Sequence, residues 1–567
     1  MSYKPTSAGV GYRRTIDKAG KKNSLRNPAY RPPLERLVDP ITILLLLAIA
    51  PAWYFLNVWY AAGALALAIL LFSIRELFIQ DDHALIRIYG PLGRVRYIVE
   101  DLFRDKYLQY FNETNTDGRP IPKIVRDYIY QKAHNVKSFA SFGTELDIMD
   151  VENTGGSRIL HRNFPGAVAT AGYEAVVGGK REGVKPFVIK NCINVSAMSY
   201  GSINDRAAEC LSFGARDVAY VNCGEGGYGP HGVAGNDVVF QLGTGKFGVG
   251  EFKTMPDGTE TRVLNDELLR NLTREHDNIK MIQFKISQGA KPGLGGHLPG
   301  SKVTQKIADV RKVPVGRTVI SPPRHAEILA ATPKEMILKL FDFIERVRKL
   351  TELPVGIKLC VGHLSEIDML VDAMKATGKG PDAIQVDGAD GGTGAGPNIW
   401  VNYVGYGGTV ETTAYLDARL KEAGIRDQVA ISSSGRILTP AHGALAFAAG
   451  ADFIDTARGA MLSLGCIQAL ACHTNHCPTG ITTNSSWRKH GLNIPEKATR
   501  VHHYLSGFHS DMLKLTTVMG YSDPRDITPS SLRFLEYNEQ FGKYFEDDPF
   551  GVKAAKYQGD TVDAIKD

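Results

Sequence analysis

Three of the chain's seven cysteines fall in one short run, Cys466-Ile-Gln-Ala-Leu-Ala-Cys472-His-Thr-Asn-His-Cys477-Pro478-Thr-Gly480. Two thiolates serve a disulfide, and a structural zinc site takes four ligands. Three thiolates closed by Cys-Pro point instead to an iron–sulfur cluster, which carries single electrons to something else. A second set of residues offers a destination. Ser196 and Met198, Glu225, Lys285, Gln288 and Lys291, Lys358, Asp387 with Gly391 and Gly392, and Gly435 with Arg436 each follow or end a short apolar run. Glycine turns followed by basic residues can cradle a phosphate through backbone N–H groups. Lys285, Gln288 and Lys358 would aim cationic and hydrogen-bonding groups at one bound ring. A flavin fits, because a cation near its N1 edge stabilises the anionic reduced form. Glycine-rich strand ends are also plain turns in many barrels, and the residues alone leave that reading standing beside the flavin.

The elements that must position these groups alternate. Apolar, β-rich runs occur at Val188–Ser199, Ala219–Cys223, Met281–Ile286, Thr318–Ser321, Val355–Leu359, Ala383–Asp387, Val429–Ser433 and Asp452–Thr456. Helical patterns lie between them at Ile203–Phe213, Val303–Val310, Pro333–Leu350, Ser365–Ala376, Thr412–Ala423 and Pro440–Ala449. Eight strands alternating with helices predict an α/β fold, a closed parallel (β/α)₈ barrel with its chemistry at the C-terminal strand ends; an open doubly wound sheet is the competitor. Residues 224–280 read as a long polar insertion. Within them Gly243-Thr-Gly245-Lys-Phe-Gly248 has dinucleotide-fingerprint spacing, but no strand and helix are expected to frame it, so a Rossmann site is rejected. His502 and His503 lack metal-ligand spacing, and His473 and His476 are expected to shape the cysteine loop.

Upstream of the barrel, Ile41–Ile74 contains no charged residue. At 1.5 Å per residue such a helix would reach roughly 50 Å, too long for one straight span of a ~30 Å hydrocarbon core. Pro51, Asn57 and the aromatics Trp53, Tyr54, Trp59 and Tyr60 sit in its middle, where an interfacial turn would place them. The expectation is a transmembrane hairpin of two short helices, 38–56 and 58–76; a single tilted helix and a buried core hairpin are the alternatives. A cleaved signal peptide is excluded by the late start and length of the run. The basic tail, residues 1–37, favours the cytoplasm, which places the chain in the inner (cytoplasmic) membrane with its bulk on the cytoplasmic side. Residues 77–185 then connect to a barrel domain at 186–490, followed by a helical extension, 491–567. The 567 residues are 43% hydrophobic and 22% charged, with a net charge of +6, ordinary globular values that give no reason to expect nucleic acid.

Taken together, the segments SAMSYG, GEGG, KISQGAKPGLGGHLPGSKV, ISPPRH, DGADGGTGA and LGCIQALACHTNHCPTG resemble the central synthase region of glutamate synthases, over roughly residues 185–490. The resemblance implies a barrel that binds FMN and a three-iron, four-sulfur cluster and reduces 2-iminoglutarate, formed from 2-oxoglutarate and ammonia, to L-glutamate. By position it makes Cys466, Cys472 and Cys477 the cluster ligands. Lys285 and Gln288 would lie against the flavin, with Asp387, Gly391, Gly392, Gly435 and Arg436 around its ring edge and phosphate. Glu225, Lys291 and Arg311 match positions that contact the oxo acid. A dicarboxylate needs two cations, and arginine grips one carboxylate bidentately. Arg311 ends an expected helix, so it reaches the site only if 288–311 folds on the catalytic side of the barrel.

The departures from that family are specific. Leu294 and His297 stand where the family usually has Glu and Gln, and His297 remains able to hydrogen-bond a carboxylate. The chain opens Met1-Ser2-Tyr3 rather than with a nucleophilic cysteine, so a glutaminase activity is not expected in it. Ammonia would come from solution or a separate glutaminase subunit, and electrons from a ferredoxin or a reductase. Two further readings remain: a related flavin oxidoreductase with another substrate, such as an N-methylglutamate synthase, and a non-catalytic membrane electron-transfer module.

Overall fold

Residues two apart on a strand share a face, and that rule decides what fills the middle of this protein. The computed structural model describes residues 43–49, 51, 57–99, 118–137, 143–144 and 157–534, apart from 167, 170, 171, 255–257 and 259. Its centre is a closed barrel of eight parallel strands: β1 (Ile193–Val195), β2 (Val221–Asn222), β3 (Val238–Leu242), β4 (Ile279–Lys285), β5 (Val355–Leu359), β6 (Ala383–Asp387), β7 (Ala430–Ser434) and β8 (Phe453–Thr456), with each strand beside the next in sequence and β8 beside β1. On β4, Ile282 and Phe284 belong to the apolar core packed outside the barrel, while Gln283 and Lys285 take the opposite face. The same alternation puts Gln385 with Asp387 on β6 and Ser432 with Ser434 on β7. The upper member of each pair stands at the C-terminal rim.

The lower members form a polar floor beneath that rim. Asn222 and Gln241 both donate to Gln283 Oε1 at 2.8 Å, Gln283 Nε2 donates to Gln385 Oε1 at 2.8 Å, and Gln385 Nε2 donates to Ser196 Oγ at 3.3 Å. Buried amides are tolerable only when paired in this way. Beside them Asp455 accepts from the Tyr220 hydroxyl at 2.7 Å and from Ser432. Burial raises the Asp455 carboxyl to about 6, against the opposing bonds from Ser432 and Tyr220. A carboxyl raised on folding stabilises the fold below its unfolded pKa and loses that contribution as pH rises through the folded value. Asp455→Asn is therefore expected to flatten the fall in melting temperature between about pH 4 and 6, and equal slopes for variant and wild type would refute this.

Seven of the expected strand segments hold barrel strands, and two expectations are corrected. Thr318–Ser321 is not in the barrel: Val319–Ile320 pairs antiparallel with His297–Leu298 in a two-stranded ribbon. Residues 224–280 are not an insertion, since they contain β3, which pairs in parallel with β2 and β4. The Gly243–Gly248 run therefore does follow a strand. It leads into a β-ribbon, Gly250–Thr254 with Glu260–Leu264, and not into a helix, so the rejection of a dinucleotide site rests on the missing helix alone.

The outer ring consists of α1 (Asp205–Ala215), α2 (Asp266–Glu275), α3 (Pro333–Thr351), α4 (Leu364–Thr377), α5 (Thr409–Ala423), α6 (Pro440–Ala448) and α7 (Ile494–Met519). Helix α7, beyond residue 490, closes this ring. Asn493 caps it by accepting from Glu496 N at 3.1 Å, Pro495 fits its first turn, and Gly520 ends it at φ +90°. A Cβ on Gly214 of α1 would come within 2.5 Å of the Ala498 carbonyl oxygen, so α1 and α7 approach closely because that position is glycine. Ser157–Ile159 pairs with Leu532–Phe534, joining the segments before and after the barrel.

Among the described residues, one helix is long and apolar enough to cross a membrane, the 22-residue run Val58–Ile79. At 1.5 Å per residue it measures about 33 Å. Residues 43–49 are also helical, and residues 52–56, where the hairpin turn is expected, lie outside the described residues together with the basic tail. On the barrel side, Lys497 Nζ and Arg500 Nη2 of α7 donate to the Asp82 carbonyl at 3.0 and 2.6 Å.

Candidate active site and cysteine loop

At the rim, Lys285 Nζ donates to Glu225 Oε1 at 2.6 Å, and the two side chains are 8% and 11% exposed. Lys291 and Arg311 are buried nearby. Burial pushes the Glu225 carboxyl up, yet Lys285 first, then Arg311 and Lys291, together hold it below its ordinary value. Arg311 is here because residues 288–311 fold on the catalytic side of the barrel. Its Nε and Nη2 donate to the Tyr200 carbonyl at 3.2 and 2.6 Å, and its guanidinium lies 4.8 Å from the Phe247 ring centroid. Burial lowers Arg311 to about 10, with Glu225 opposing. Three cations thus face one carboxylate.

Two glycines let the loops close on Glu225. A Cβ on Gly243 would fall 2.6 Å from Glu225 Cβ, and one on Gly296 would fall 2.7 Å from Glu225 Oε1 and 3.1 Å from Ser321 Oγ. Ser321 Oγ is buried without a hydrogen-bond partner among the described residues. Gly296→Ala should therefore displace the Glu225 carboxylate from Lys285 while sparing the core. Turnover is expected to fall at least about 10-fold with the melting temperature held, and unchanged turnover would show that the carboxylate has room to move.

Around the rim, Lys358 pairs with Asp387 at 3.1 Å. Asp387 also accepts from Gly289 N at 2.9 Å and Ser434 Oγ at 2.7 Å. Burial would raise Asp387, and Lys358 foremost, helped by those donors, holds it down. Gln288 Nε2 reaches Thr393 Oγ1 at 3.5 Å. Farther round, Gly435 adopts φ +127°, and a Cβ there would meet Asp390 Oδ1 at 2.8 Å. That oxygen is buried with no donor among the described residues. Arg458 donates to the Asp390 carbonyl at 2.6 Å and Arg436 to the Pro120 carbonyl at 2.6 Å. Burial lowers Arg458, and the nearby positive charge of Arg436 lowers it further. Two arginines beside glycine turns after β7 and β8 make an anion-binding corner.

The cysteine run follows β8 and the short helix Arg458–Ser463. Cys466 and Cys472 are half-buried and Cys477 is buried. Burial raises Cys466, and Cys472 and Cys477 raise it further, while burial and then Cys477 raise Cys472. Burial would raise Cys477 too, yet hydrogen bonds with Thr479 and Thr482 outweigh it and hold that thiol below its ordinary value. Among the described residues no three His, Cys, Asp or Glu side chains converge tightly enough to hold a single metal ion.

The matched family description is "Conserved region in glutamate synthase", over residues 150–522. The glutamate synthase large subunit-like protein YerD of Bacillus subtilis is 32% identical over 82% of this chain and 93% of its own length. The archaeal-type glutamate synthase [NADPH] of Thermotoga maritima is 34% identical over 57% of this chain and 58% of its own length. The chain belongs to the glutamate synthase family. It is thereby a member of an oxidoreductase family, although it spans little more than half of the Thermotoga enzyme.

Of the positions through which the glutamate synthase resemblance was drawn, one is not brought to the cluster. His297 is exposed, and its ribbon neighbour Leu298 turns inward onto Tyr200 and Ile307. Alternation along the ribbon sends the two side chains to opposite faces. His297 thus stands on the outer face of the ribbon, apart from the buried Glu225 group. Ser196 and Met198 are buried near the β1 end.

Three groups escaped sequence reasoning. Lys246, inside the rejected Gly243–Gly248 run, is fully buried in the left-handed region at φ +47° and lies 3.0 Å from Glu327. His325 places Nδ1 2.8 Å from Lys246 Nζ and Nε2 3.0 Å from the Lys285 carbonyl. A carbonyl only accepts, so Nε2 carries the hydrogen and the ring is neutral. Burial first, then Lys246, lowers it to about 3. This pair anchors the backbone of Lys285 from behind. The third group is Lys302, 3% exposed, whose amine donates to the Ser202 carbonyl at 3.0 Å and the Cys472 carbonyl at 3.4 Å. The invariably polar look of lysine in a glycine-rich stretch hid it; a loop lysine normally reads as solvated.

Proposed function

We propose that this protein is an FMN- and iron–sulfur-dependent oxidoreductase that reductively aminates 2-oxoglutarate to L-glutamate with ammonia supplied from outside the chain, and that the apolar helix anchors it to the inner membrane with the barrel in the cytoplasm. The observation that carries the substrate class is the charge at Glu225. Lys285, Lys291 and Arg311 against one carboxylate leave two positive charges uncompensated in a buried site. Buried charge demands a partner, and a dicarboxylic oxo acid brings two negative charges.

The residues fit both cofactors. Lys285, Gln288, Lys358 and Asp387 offer cations and hydrogen bonds to a flavin ring, with Ser196 and Met198 beneath. Gly391, Gly392, Gly435 and Arg436, joined by Arg458, would hold its phosphate. The orphaned Asp390 Oδ1 suits a hydroxyl of the flavin's polyol chain. The three thiols of one loop, with the buried Lys302 amine bonded to the Cys472 carbonyl, would suit a three-iron cluster held by thiolates. When bound, these groups supply hydride transfer and single-electron delivery.

The chain's own residues do the rest. Lys291 and Arg311 bind the two carboxylates and fix the oxo carbon. Glu225, ionised against Lys285, holds ammonium at that carbon and relays a proton from it to the carbonyl oxygen, so that neutral ammonia adds to the carbon and the oxygen leaves as water, giving the iminium to be reduced. A ferredoxin or a reductase is the expected electron donor, and a separate glutaminase subunit a source of ammonia. The test is spectroscopic first: flavin and cluster absorbance in the purified protein, then addition of reductant followed by 2-oxoglutarate with ammonium, scoring glutamate. A loaded protein whose bleached flavin absorbance never returns on that addition would remove the assignment. Leu294 and His297, which stand where the family usually has Glu and Gln, favour a second reading in which the same chemistry acts on another oxo acid or amine, such as methylamine; substituting methylamine for ammonium in that assay distinguishes them.

A further inference from the structure

The apolar helix does not stop where its charges begin. It continues as the π-helical turn Arg75–Ile79, and the short helices Ala84–Tyr89 and Gly93–Val99 fold back around that turn. The charges of the turn itself, Arg75 and Glu76, are turned inward. Glu76 is fully buried, with Arg94 Nε and Nη2 donating to it at 2.8 and 2.9 Å and Arg75 beside it. What faces outward is mainly apolar, Phe78 (56% exposed), Leu92 (78%), Val95 and Ile98, with Arg96 as an exposed cation among them. Trp487 joins this surface from the barrel side. Its ring meets Phe78 edge-on at 6.5 Å, its indole Nε1 donates to the Ile88 carbonyl at 2.9 Å, and half of it remains exposed. An indole with its polar tip bonded and its apolar body uncovered is the arrangement favoured at membrane–water boundaries. A contiguous apolar patch is unusual on a soluble surface, and this one continues the helix that is long enough to span.

We propose that this surface lies in the headgroup boundary of a phospholipid bilayer and holds the cysteine loop against the membrane. The inference rests on the membrane reading of Val58–Ile79 and adds to it where the redox end of the barrel sits. Trp487 lies only ten residues beyond Cys477. Next to it, Arg488 Nη1 is 2.7 Å from His476 Nδ1, inside the cysteine run. His490 Nε2 meets the Leu77 carbonyl at 2.9 Å, and Arg87 Nε donates to the His490 carbonyl at 3.1 Å. A Cβ on Gly491 would lie 2.8 Å from Ile88. The loop that follows Cys477 is thus bonded to the same turn that ends the apolar helix, and membrane depth fixes its height.

The full chain, reconstituted in phosphatidylcholine–phosphatidylglycerol vesicles that carry brominated phosphatidylcholine, tests this. Bromine quenches only tryptophans that touch lipid, and difference spectra of Trp59→Phe and Trp487→Phe against the wild type isolate the two indoles. Trp59, 78% exposed at the start of the helix, reports insertion. Both contributions are expected to lose more than half their intensity. Quenching of Trp59 with Trp487 untouched would overturn the proposal and leave the membrane reading standing; failure of both would remove the membrane reading and the proposal with it. Leu92→Trp is a second reporter that needs no native aromatic removed, and its added emission should be quenched as strongly as that of Trp487.

Discussion

Glu225→Gln is expected to lower kcat about 100-fold while the KM for 2-oxoglutarate stays level or falls. The amide keeps the shape and loses the charge, so Lys285, Lys291 and Arg311 face the substrate with no internal competitor, and binding of a dianion does not suffer. What disappears is the group that holds ammonium and takes its proton. Lys291→Met should do the reverse, raising KM by roughly 10-fold or more, because it removes a cation from an oxo-acid carboxylate. The pH profile carries a second signature. In the ligand-free protein the three cations hold Glu225 below its ordinary value, so the acid limb of kcat/KM should lie below the usual carboxylate range. A bound dianion offsets those cations, and the acid limb of kcat should move upward. A Glu225→Gln variant that retains wild-type kcat would sink the assignment of Glu225; coincident acid limbs would sink the charge-compensation argument.

The second large effect concerns the cysteine loop. Cys477→Ser is expected to abolish the cluster's visible absorbance and electron paramagnetic signal and to leave flavin binding intact, since the flavin residues lie on other loops. Lys302→Met is the subtler partner. Burial lowers the Lys302 ammonium to about 8, against the pull of Cys472 and Cys477. Among the described residues no carboxylate pairs with it, so thiolates holding a cluster would be its counter-charge. Removing that cation should leave the cluster assembled but harder to reduce. A unit charge within several ångströms at an effective dielectric of 20 is worth on the order of a few kcal/mol, or on the order of 100 mV for one electron. A redox titration followed by paramagnetic resonance reads this directly. An unmoved midpoint would mean that Lys302 only props the loop.

Much of this was legible in the residues because it is local. The cysteine run, the glycine turns and the cation-bearing strand ends sit in short windows, and β5 and β6 fall on the residues their β-rich patterns predict. Strand β3 was missed although Val238–Leu242 is as apolar as its neighbours. Two 3₁₀ turns, Gly224–Gly226 and Pro230–Gly232, stand between β2 and β3 where a barrel helix belongs, so the alternation that guides a barrel reading breaks there. Val319–Ile320 was misplaced for the opposite reason. It has a barrel strand's composition, and only its pairing with His297–Leu298, more than twenty residues away, gives it another role. That same ribbon sends His297 outward, which no local pattern announces. Arg311 depended on which end of the barrel its short helix occupies, a question settled by tertiary packing onto Tyr200 and Phe247.

The polar floor beneath the rim has a direction. Asn222 and Gln241 give to Gln283, Gln283 gives to Gln385, and Gln385 gives to Ser196. Gln283 and Gln385 each have the oxygen upstream and the hydrogens downstream, and the Gln283 amide, taking two donors on Oε1, cannot turn over without breaking both bonds. The bonds therefore all point the same way around the barrel and end on a hydroxyl that only receives. Ser196 keeps its own hydrogen, and with the lower side already satisfied, the place left to give it is upward. The floor therefore presents the site with a serine whose hydrogen is fixed as the one left to donate by bonds that begin on other strands.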